Sequence, residues 1–328
     1  MPQQDDGDYA VAVVMAVYNG GRFLEDQIAS ILNQSYPHIH LYVRDDGSTD
    51  NSVRIIRNLL VQHPGQITLL EDEEKRLGVV GNFQRLLEFV LAHERESYIM
   101  LADQDDVWLP GKVAATLQKM QTMELWAGTE TPLLVHTNLC VTDAHLDVLD
   151  PSFWHYQNLN PARDDPRSLC MQNMVTGCTV MINKPLLLKA LPIPDSVIMH
   201  DWWLALVASA FGAIRFLPQA TMFYRQHGKN DTGAQKFSSG SYLLRAIQRL
   251  YSSKGFWTAL QRLQGQAEAF LERYRQELDP ILEADLEAFV LMGPQTPRHK
   301  RMRLLFLRHF RRHGWIRTMG LAARLVIG

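Results

Sequence analysis

Three carboxylates fall within four consecutive positions of this chain, Asp103, Asp105 and Asp106, in the stretch YIMLADQDDVW at 98–108. The stretch opens with Tyr98, Ile99, Met100 and Leu101, an apolar and β-prone run that reads as a buried strand. At the end of a strand, a spacing of two lets Asp103 and Asp105 bend toward one hard cation. Like charges held this close cost energy unless something neutralises them, and a divalent ion does so directly. Mg²⁺ or Mn²⁺ takes one or two carboxylates and fills its other positions with water and a diphosphate. An Asp-rich turn that caps a helix starting near Pro110 explains the same residues without any metal.

The elements that must hold this cluster are legible around it. Residues 10–17, AVAVVMAV, form a continuous apolar strand with no polar face, as inside a parallel sheet. A turn, YNGG at 18–21, leads into an amphipathic helix over 23–34. A second strand, IHLYVRDD at 39–46, ends in the motif DDGSTD, followed by a helix over 51–62 and a short strand over 67–71. The segment KRLGVVGN at 75–82 then enters a helix that runs through 91. Four strand–helix alternations predict an α/β fold with a mostly parallel, doubly wound sheet. Ligands of such sheets bind beyond the carboxyl ends of the strands, where Tyr18, Asp46 and Asp103 all fall.

Further along, the pattern predicts a helix at 111–123 and one or two strands at 132–143. Residues 150–168 are rich in Pro, Asn and aromatics and read as loop; 175–183 reads as a strand and 184–191 as a short helix. HDWWLALVASAFG at 200–212 is an apolar helix with Asp201 at its start, where an N-cap is the plain explanation. Strands ending in a polar loop are expected over 214–231, and helices from 238 onward.

The chain has 328 residues, 46% hydrophobic and 21% charged, an ordinary globular composition able to bury a sizeable core. Cys140, Cys170 and Cys178 are odd in number and lack C-x-x-C spacing, which points away from a disulfide framework or zinc site and toward a reducing compartment. The opening MPQQDDGDY is acidic and polar, unlike a secretory signal. The longest apolar run, 202–214, has 13 residues and is too short to span a bilayer. The net charge of −2 hides an asymmetry: residues 298–328 carry nine of the 33 Lys and Arg and no Asp or Glu. A split of this kind marks a tail with a partner of its own.

VVMAVYNGGRFLEDQIASILNQSYPHIHLYVRDDGSTDNS, the D-Q-D-D cluster, the GCTVMIN segment and the HDWW helix together resemble a family-2 glycosyltransferase of the GT-A fold. The resemblance covers about residues 10–230, and D-Q-D-D-V-W with YRQHGKN is similar to the bacterial rhamnosyltransferase-type branch. It implies a domain over 1–235, with a nucleotide-binding half at about 10–108 and an acceptor half at about 109–235. A helical region over 236–297 and a basic amphipathic tail over 298–328 would follow. It also implies that Ala16, Val17 and Tyr18 frame the nucleotide base and that Asp46 accepts from its imide N–H, with Asp45 beside it. Gly78 and Asn82 would lie near the base or ribose, though Asn82 serves equally well as a helix cap. Asp103, Gln104 and Asp105 would hold the diphosphate end of the donor and a Mg²⁺ or Mn²⁺ ion. Asp201 matches the base, with His200 and Trp202 shaping the acceptor pocket. Arg225, Gln226 and His227 match a loop that closes over the diphosphate, His227 reaching the metal; a solvated surface loop is the competing view.

The expected activity is inverting, metal-dependent transfer of a sugar, with dTDP-L-rhamnose favoured as donor over a UDP-sugar, to a cell-surface glycan or lipid-linked acceptor. No Q-x-x-R-W string follows Asp201, which argues against a processive synthase. A phosphatase of the haloacid dehalogenase type shares the strand-plus-D-x-D pattern but needs a later Lys and acidic pair that residues beyond 107 do not display. A nucleotidyltransferase would open with a Lys-bearing loop, and YNGGRF has none. An inactive nucleotide-sugar-binding scaffold is the non-enzyme alternative. No nucleic-acid partner is expected. The tail is expected to dock the protein on the inner face of the cytoplasmic membrane, with Leu304, Leu305, Leu307 and Phe310 on one side of a helix that Gly314 interrupts. Its competing reading is packing on the acidic body or on a second subunit, as in a homodimer.

Overall fold

Alternation along the first strand decides the architecture. In β1 (Val11–Val17), Val11, Val13, Met15 and Val17 enter one hydrophobic core while Ala12 and Val14 enter another. Side chains alternate across a strand, so a run with no polar member has to be covered on both faces. The computed structural model describes residues 10–74, 76–93, 96–227 and 253–327. One core packs α1 (Leu24–Leu32), α2 (Ser52–Gln62) and α4 (Lys112–Ala127) on the sheet. The other packs α3 (Gly78–His93), α8 (His200–Phe211) and the carboxyl-terminal helices.

β1 pairs in parallel with β2 (Ile39–Asp45) on one side and with β4 (Tyr98–Ala102) on the other, and β3 (Ile67–Leu70) extends the sheet beyond β2. The chain therefore runs outward from β1 to β3 and returns across β1 to β4. That reversal opens a crevice at the carboxyl ends of β1 and β4. Past β4 come β8 (Met181–Asn183), antiparallel, then β6 (Leu133–Thr142) and β9 (Ala213–Arg225), a parallel pair. β5 (Val107–Trp108) follows β4 in sequence, yet it pairs antiparallel with β9 at the other end of the strand order, Val107 opposite Phe223. The short acidic segment between β4 and β5 thus runs from the middle of a curled, mostly parallel sheet to its β5 edge. β7 (Val148–Asp150) pairs with β6.

Several local expectations are corrected. Residues 150–168 hold one short helix and the start of another, α5 (Phe153–Gln157) and α6 (Pro166–Met171). Ser152 and Asp165 cap them through their side chains, and Pro166 sits in the first turn of α6, where its missing N–H costs nothing. The strand expected over 175–183 begins as a 3₁₀ turn, Gly177–Thr179, before β8. Met199, not Asp201, occupies the cap position of α8, so capping does not account for Asp201. α7 (Lys184–Ala190) precedes α8.

Four further helices follow: α9 (Ser253–Tyr274), α10 (Pro280–Val290), α11 (Arg298–Phe306) and α12 (Trp315–Ile327). The helix expected from YLLRAIQRL, together with Gly228, Lys229 and Asn230, lies outside the described residues. In the basic tail Leu304, Leu305, Phe310, Leu321 and Leu325 are buried in the core that α9 and α10 share. Phe310 stacks on Phe289 at 4.7 Å, and Arg308 pairs with the buried Asp285 at 3.1 Å. Arg301 is buried and donates to the carbonyls of Pro294, Thr296 and Leu325. The expected apolar stripe therefore faces the body of the protein. α11 ends at Phe306, which throws Leu307 off the stripe and leaves it 69% exposed. No helix among the described residues is long and apolar enough to cross a membrane.

Candidate active site

The crevice is built by three turns bonded to one another. Gln104 donates to the Tyr18 carbonyl at 3.0 Å and accepts from the Tyr18 amide at 2.9 Å, tying the ends of β1 and β4 together. A Cβ on Gly20 would lie 2.3 Å from Gln104 Oε1, so any larger residue there would have to displace the Gln104 side chain and its bonds to Tyr18. The DDGSTD turn stitches the β1 turn from the other side. Ser48 Oγ accepts from the Asn19 amide, Ser52 Oγ from the Gly20 amide and Asp50 from the Gly21 amide. Between these turns Tyr18 stands 50% exposed, an open aromatic face, and Ala16 is half-buried beneath it on β1.

Asp45 and Asp46 have different tasks. Asp46 is buried and accepts from Arg44 Nη1 and the Leu77 amide on Oδ1, and from the Gly78 amide on Oδ2. It anchors the loop into α3, where Gly78 has a φ of +71°. Only Oδ2 keeps room for another donor. Asp45 Oδ2 accepts from the amides of Gly47 and Ser48, while Oδ1 is buried with no hydrogen-bond partner. Beneath them lies Arg44, fully buried, a residue that the sequence pattern did not single out. It donates to both oxygens of Asp72, to Asp46 and to Oδ1 of the buried Asn82. Burial alone would lower its pKa; the bonds to Asp72 and Asp46 outweigh that and raise it.

The acidic segment is divided between two partners. Asp105 Oδ2 meets His227 Nε2 at 2.6 Å. Asp106 is fully buried, accepts from the Arg225 amide and shares a hydrogen bond with the Cys178 thiol. Burial, then repulsion from Asp105 and Asp103, holds the Asp106 carboxyl well above the usual carboxylate range. Ligand atoms of Asp103, Asp106 and Cys178 lie within 4.8 Å of one another. Lys112, also buried, sits 4.8 Å over the Trp108 ring, and burial lowers its pKa to about 8. A crowded set of carboxylates whose mutual repulsion already shifts one of them fits a divalent cation. Cys178 and Lys112 carried no signal in the sequence, because their neighbours are remote in the chain.

Arg225 is the last residue of β9, and its guanidinium bonds Asp26 at 2.7 Å and the Ala144 carbonyl, 4.7 Å over the Phe23 ring. The competing view of solvated surface charges does not hold at Arg225, which is buried, and the Gln226 amide bonds the Thr142 carbonyl.

Asp201 lies in the first turn of α8 and is buried. Its carboxylate accepts from the Trp202 amide at 2.6 Å and has further bonds from the Gly177 amide and Asn173, yet burial outweighs these and lifts its pKa to about 7. Gly177 packs on it so closely that a Cβ there would sit 3.5 Å from Asp201 Oδ2. The next residue, Cys178, belongs to the acidic cluster. One 3₁₀ turn therefore links the Asp201 carboxylate to the Asp103–Asp106 segment. His200 is buried and stacks on Phe83 at 4.0 Å; desolvation drops its pKa to about 3. Trp202 is half-buried, its Nε1 donating to the Leu169 carbonyl.

Residues 12–126 match the model of glycosyl transferase family 2. The chain is similar to the dTDP-rhamnosyl transferase RfbG of Shigella flexneri, 28% identical over 230 residues that span 67% of this chain and 74% of that protein. The chain carries a family-2 glycosyltransferase segment over residues 12–126. Two solved structures share its fold. One is S. aureus TarS 1–349 in complex with UDP-GlcNAc, with a TM-score of 0.56 at 12% identity, covering 86% of this chain and 71% of that one. The other is the mannosyltransferase PcManGT from Pyrobaculum calidifontis with GDP-Man and Mn²⁺, with a TM-score of 0.51 at 17% identity, covering 97% and 75%. The family match sets aside the phosphatase. The matched segment holds the base-side turns and the acidic cluster, while Asp201, Cys178 and His227 lie beyond it.

Proposed function

We propose that the enzyme is an inverting rhamnosyltransferase that uses dTDP-β-L-rhamnose and a divalent metal to form an α-rhamnoside on a cell-surface glycan or lipid-linked acceptor. The single observation that carries the mechanism is Asp201, a buried carboxylate with a pKa of about 7 joined by one turn to the acidic cluster. A general base works best when its pKa lies near the operating pH. Asp201 takes the proton of the acceptor hydroxyl as that oxygen bonds the anomeric carbon. The bond from that carbon to the diphosphate breaks on the opposite face, and the electron pair leaves with the nucleoside diphosphate.

Asp103 and Asp105 would hold Mg²⁺ or Mn²⁺, with Asp106 and Cys178 beside Asp103 and His227 on Asp105; the ion, when bound, would offset the charge that grows on the leaving diphosphate. Tyr18 offers its ring to the base. The unsatisfied Asp45 Oδ1 and the remaining capacity of Asp46 Oδ2 suit the imide N–H of thymine or uracil. The thymidine donor and the rhamnose rest on the likeness to RfbG and on the D-Q-D-D-V-W and YRQHGKN motifs. A UDP-sugar is the second reading. The enzyme works at the inner face of the cytoplasmic membrane, held there by exposed parts of residues 298–328.

A thermal-shift screen of nucleotide sugars with Mn²⁺ tests the donor. A ligand at 100 times its dissociation constant adds about 2.7 kcal/mol of stability. dTDP-rhamnose is expected to stabilise the enzyme and turn over with inversion. Turnover of UDP-hexoses alone refutes the donor, and a retained configuration refutes the mechanism.

A further inference from the structure

The tail hides its apolar stripe in the body, yet it leaves a different surface open. Between α11 and α12 lies a cavity of about 450 Å³, lined by Arg163, Phe306, Arg311, Arg312, Trp315 and Met319 among others. No carboxylate lines it. Arg311 and Arg312 form no ion pair among the described residues, and the Nε atom of each is buried without a hydrogen-bond partner. Arg163 reaches in from the body. Its guanidinium bonds Ser168 Oγ and the carbonyls of Arg311 and Arg312, none of which neutralises it. The nearby Asp165 caps α6 and offsets part of the charge on Arg163 without an ion-pair contact. Burial, then repulsion from Arg163 and Arg317, which Asp165 only partly offsets, pushes the neighbouring His313 down to about 4. The amino end of α12 opens here as well, and its first-turn amides favour an anion.

The rim of this basic cavity is apolar. Of its lining, Trp315 is 73% exposed, Met319 42% and Phe306 36%, and Leu307, next to Phe306 in the chain, is 69% exposed. Arginines around a cavity with an exposed tryptophan and aliphatic side chains beside it match a layered surface, with phosphate first and acyl chains behind. We infer that this cavity binds the phosphate headgroup of an anionic phospholipid, with Trp315 and Leu307 entering the interface. The inference rests on the proposed membrane location and narrows it to one site. It also replaces the expected contact: Leu304, Leu305 and Phe310 face the protein, and Leu307, Trp315 and Met319 face the lipid.

Flotation of the full chain at low salt tests this, with vesicles of phosphatidylcholine alone or mixed with phosphatidylglycerol. The wild type should float only with the mixed vesicles. Each basic charge near such a surface is worth about fivefold in affinity, so the Arg311→Gln, Arg312→Gln double variant should lose on the order of 25-fold. Trp315→Ser should also bind weakly. Each variant should keep the wild-type melting temperature and its turnover on a water-soluble acceptor. Inorganic phosphate should stabilise the wild type more than the double variant, alongside flotation of the wild type. Equal flotation of wild type and variants overturns this site and leaves the membrane location standing. A wild type that floats with neither vesicle overturns both. Stabilisation of the wild type by free phosphate without flotation assigns the cavity to a soluble anion and overturns the lipid.

Discussion

Asp105 and His227, 122 residues apart in sequence, meet at 2.6 Å. The contact follows from β5 pairing with β9, because Val107 opposite Phe223 brings the acidic segment alongside the residues that leave β9. His227 also packs on Phe23 at 4.9 Å, beside the turn that follows β1.

Removal of the metal should therefore silence the enzyme without unfolding it. Asp105→Asn keeps size and a hydrogen-bonding group but loses the charge. It should cut turnover at least 100-fold and lose the wild-type stabilisation by Mn²⁺, about 2.7 kcal/mol at 100 times the dissociation constant. Melting curves with and without Mn²⁺ read this directly. Full turnover in excess EDTA would contradict the metal assignment.

Asp201 should set the acid limb of the pH profile. Only the ionised form accepts a proton, so turnover should fall as pH drops below about 7, and Asp201→Asn should lose on the order of 10² to 10⁴-fold while still binding donor. The same shift has a stability consequence of opposite sense. Its folded pKa lies above the ordinary 3.8, so the folded state binds the extra proton, and stability from this group is lost as pH rises toward 7. Asp201→Asn should accordingly be more stable than the wild type, by an advantage that grows between about pH 4 and pH 7 and is at most about 4 kcal/mol. Paired melts at pH 5 and pH 8 measure it. An unchanged difference would show that the carboxylate titrates normally.

Arg44 should behave as a positioning residue for the donor. Arg44→Met strands the buried Asp46 and loosens Asn82, and breaking a buried charge pair costs about 3–5 kcal/mol, less here because Asp72 is partly solvated. Arg44→Lys restores the charge but not the fork that reaches Asp72, Asp46 and Asn82 together. It should recover much of the stability while the donor KM stays raised and kcat changes little. A KM that returns to the wild-type value with Lys would make the residue merely structural.

The sequence by itself determined the frame and one half of the site. An unbroken apolar run placed the strands ending at Val17 and Ala102, because a strand covered on both faces is apolar throughout, and the turn motif marked the end of the strand at Asp45. The rule for doubly wound sheets put Tyr18, Asp46 and Asp103 at one crevice, and turn chemistry marked DDGSTD. These are local signals, carried by residues that act where they stand. Tertiary structure decided the rest. The meeting of His227 with Asp105, of Cys178 with Asp106 and of Gly177 with Asp201 depends on which distant strands pair as the sheet curls. Spacing along a chain does not encode that choice. Arg44 looked like a strand-end charge until its five donors found Asp72, Asp46, Asn82 and the Glu74 carbonyl in a buried site. The tail shows the same limit from the other side. An amphipathic helix announces that it will cover its apolar face, and only the competition between lipid and the body's own exposed apolar surface decides with what.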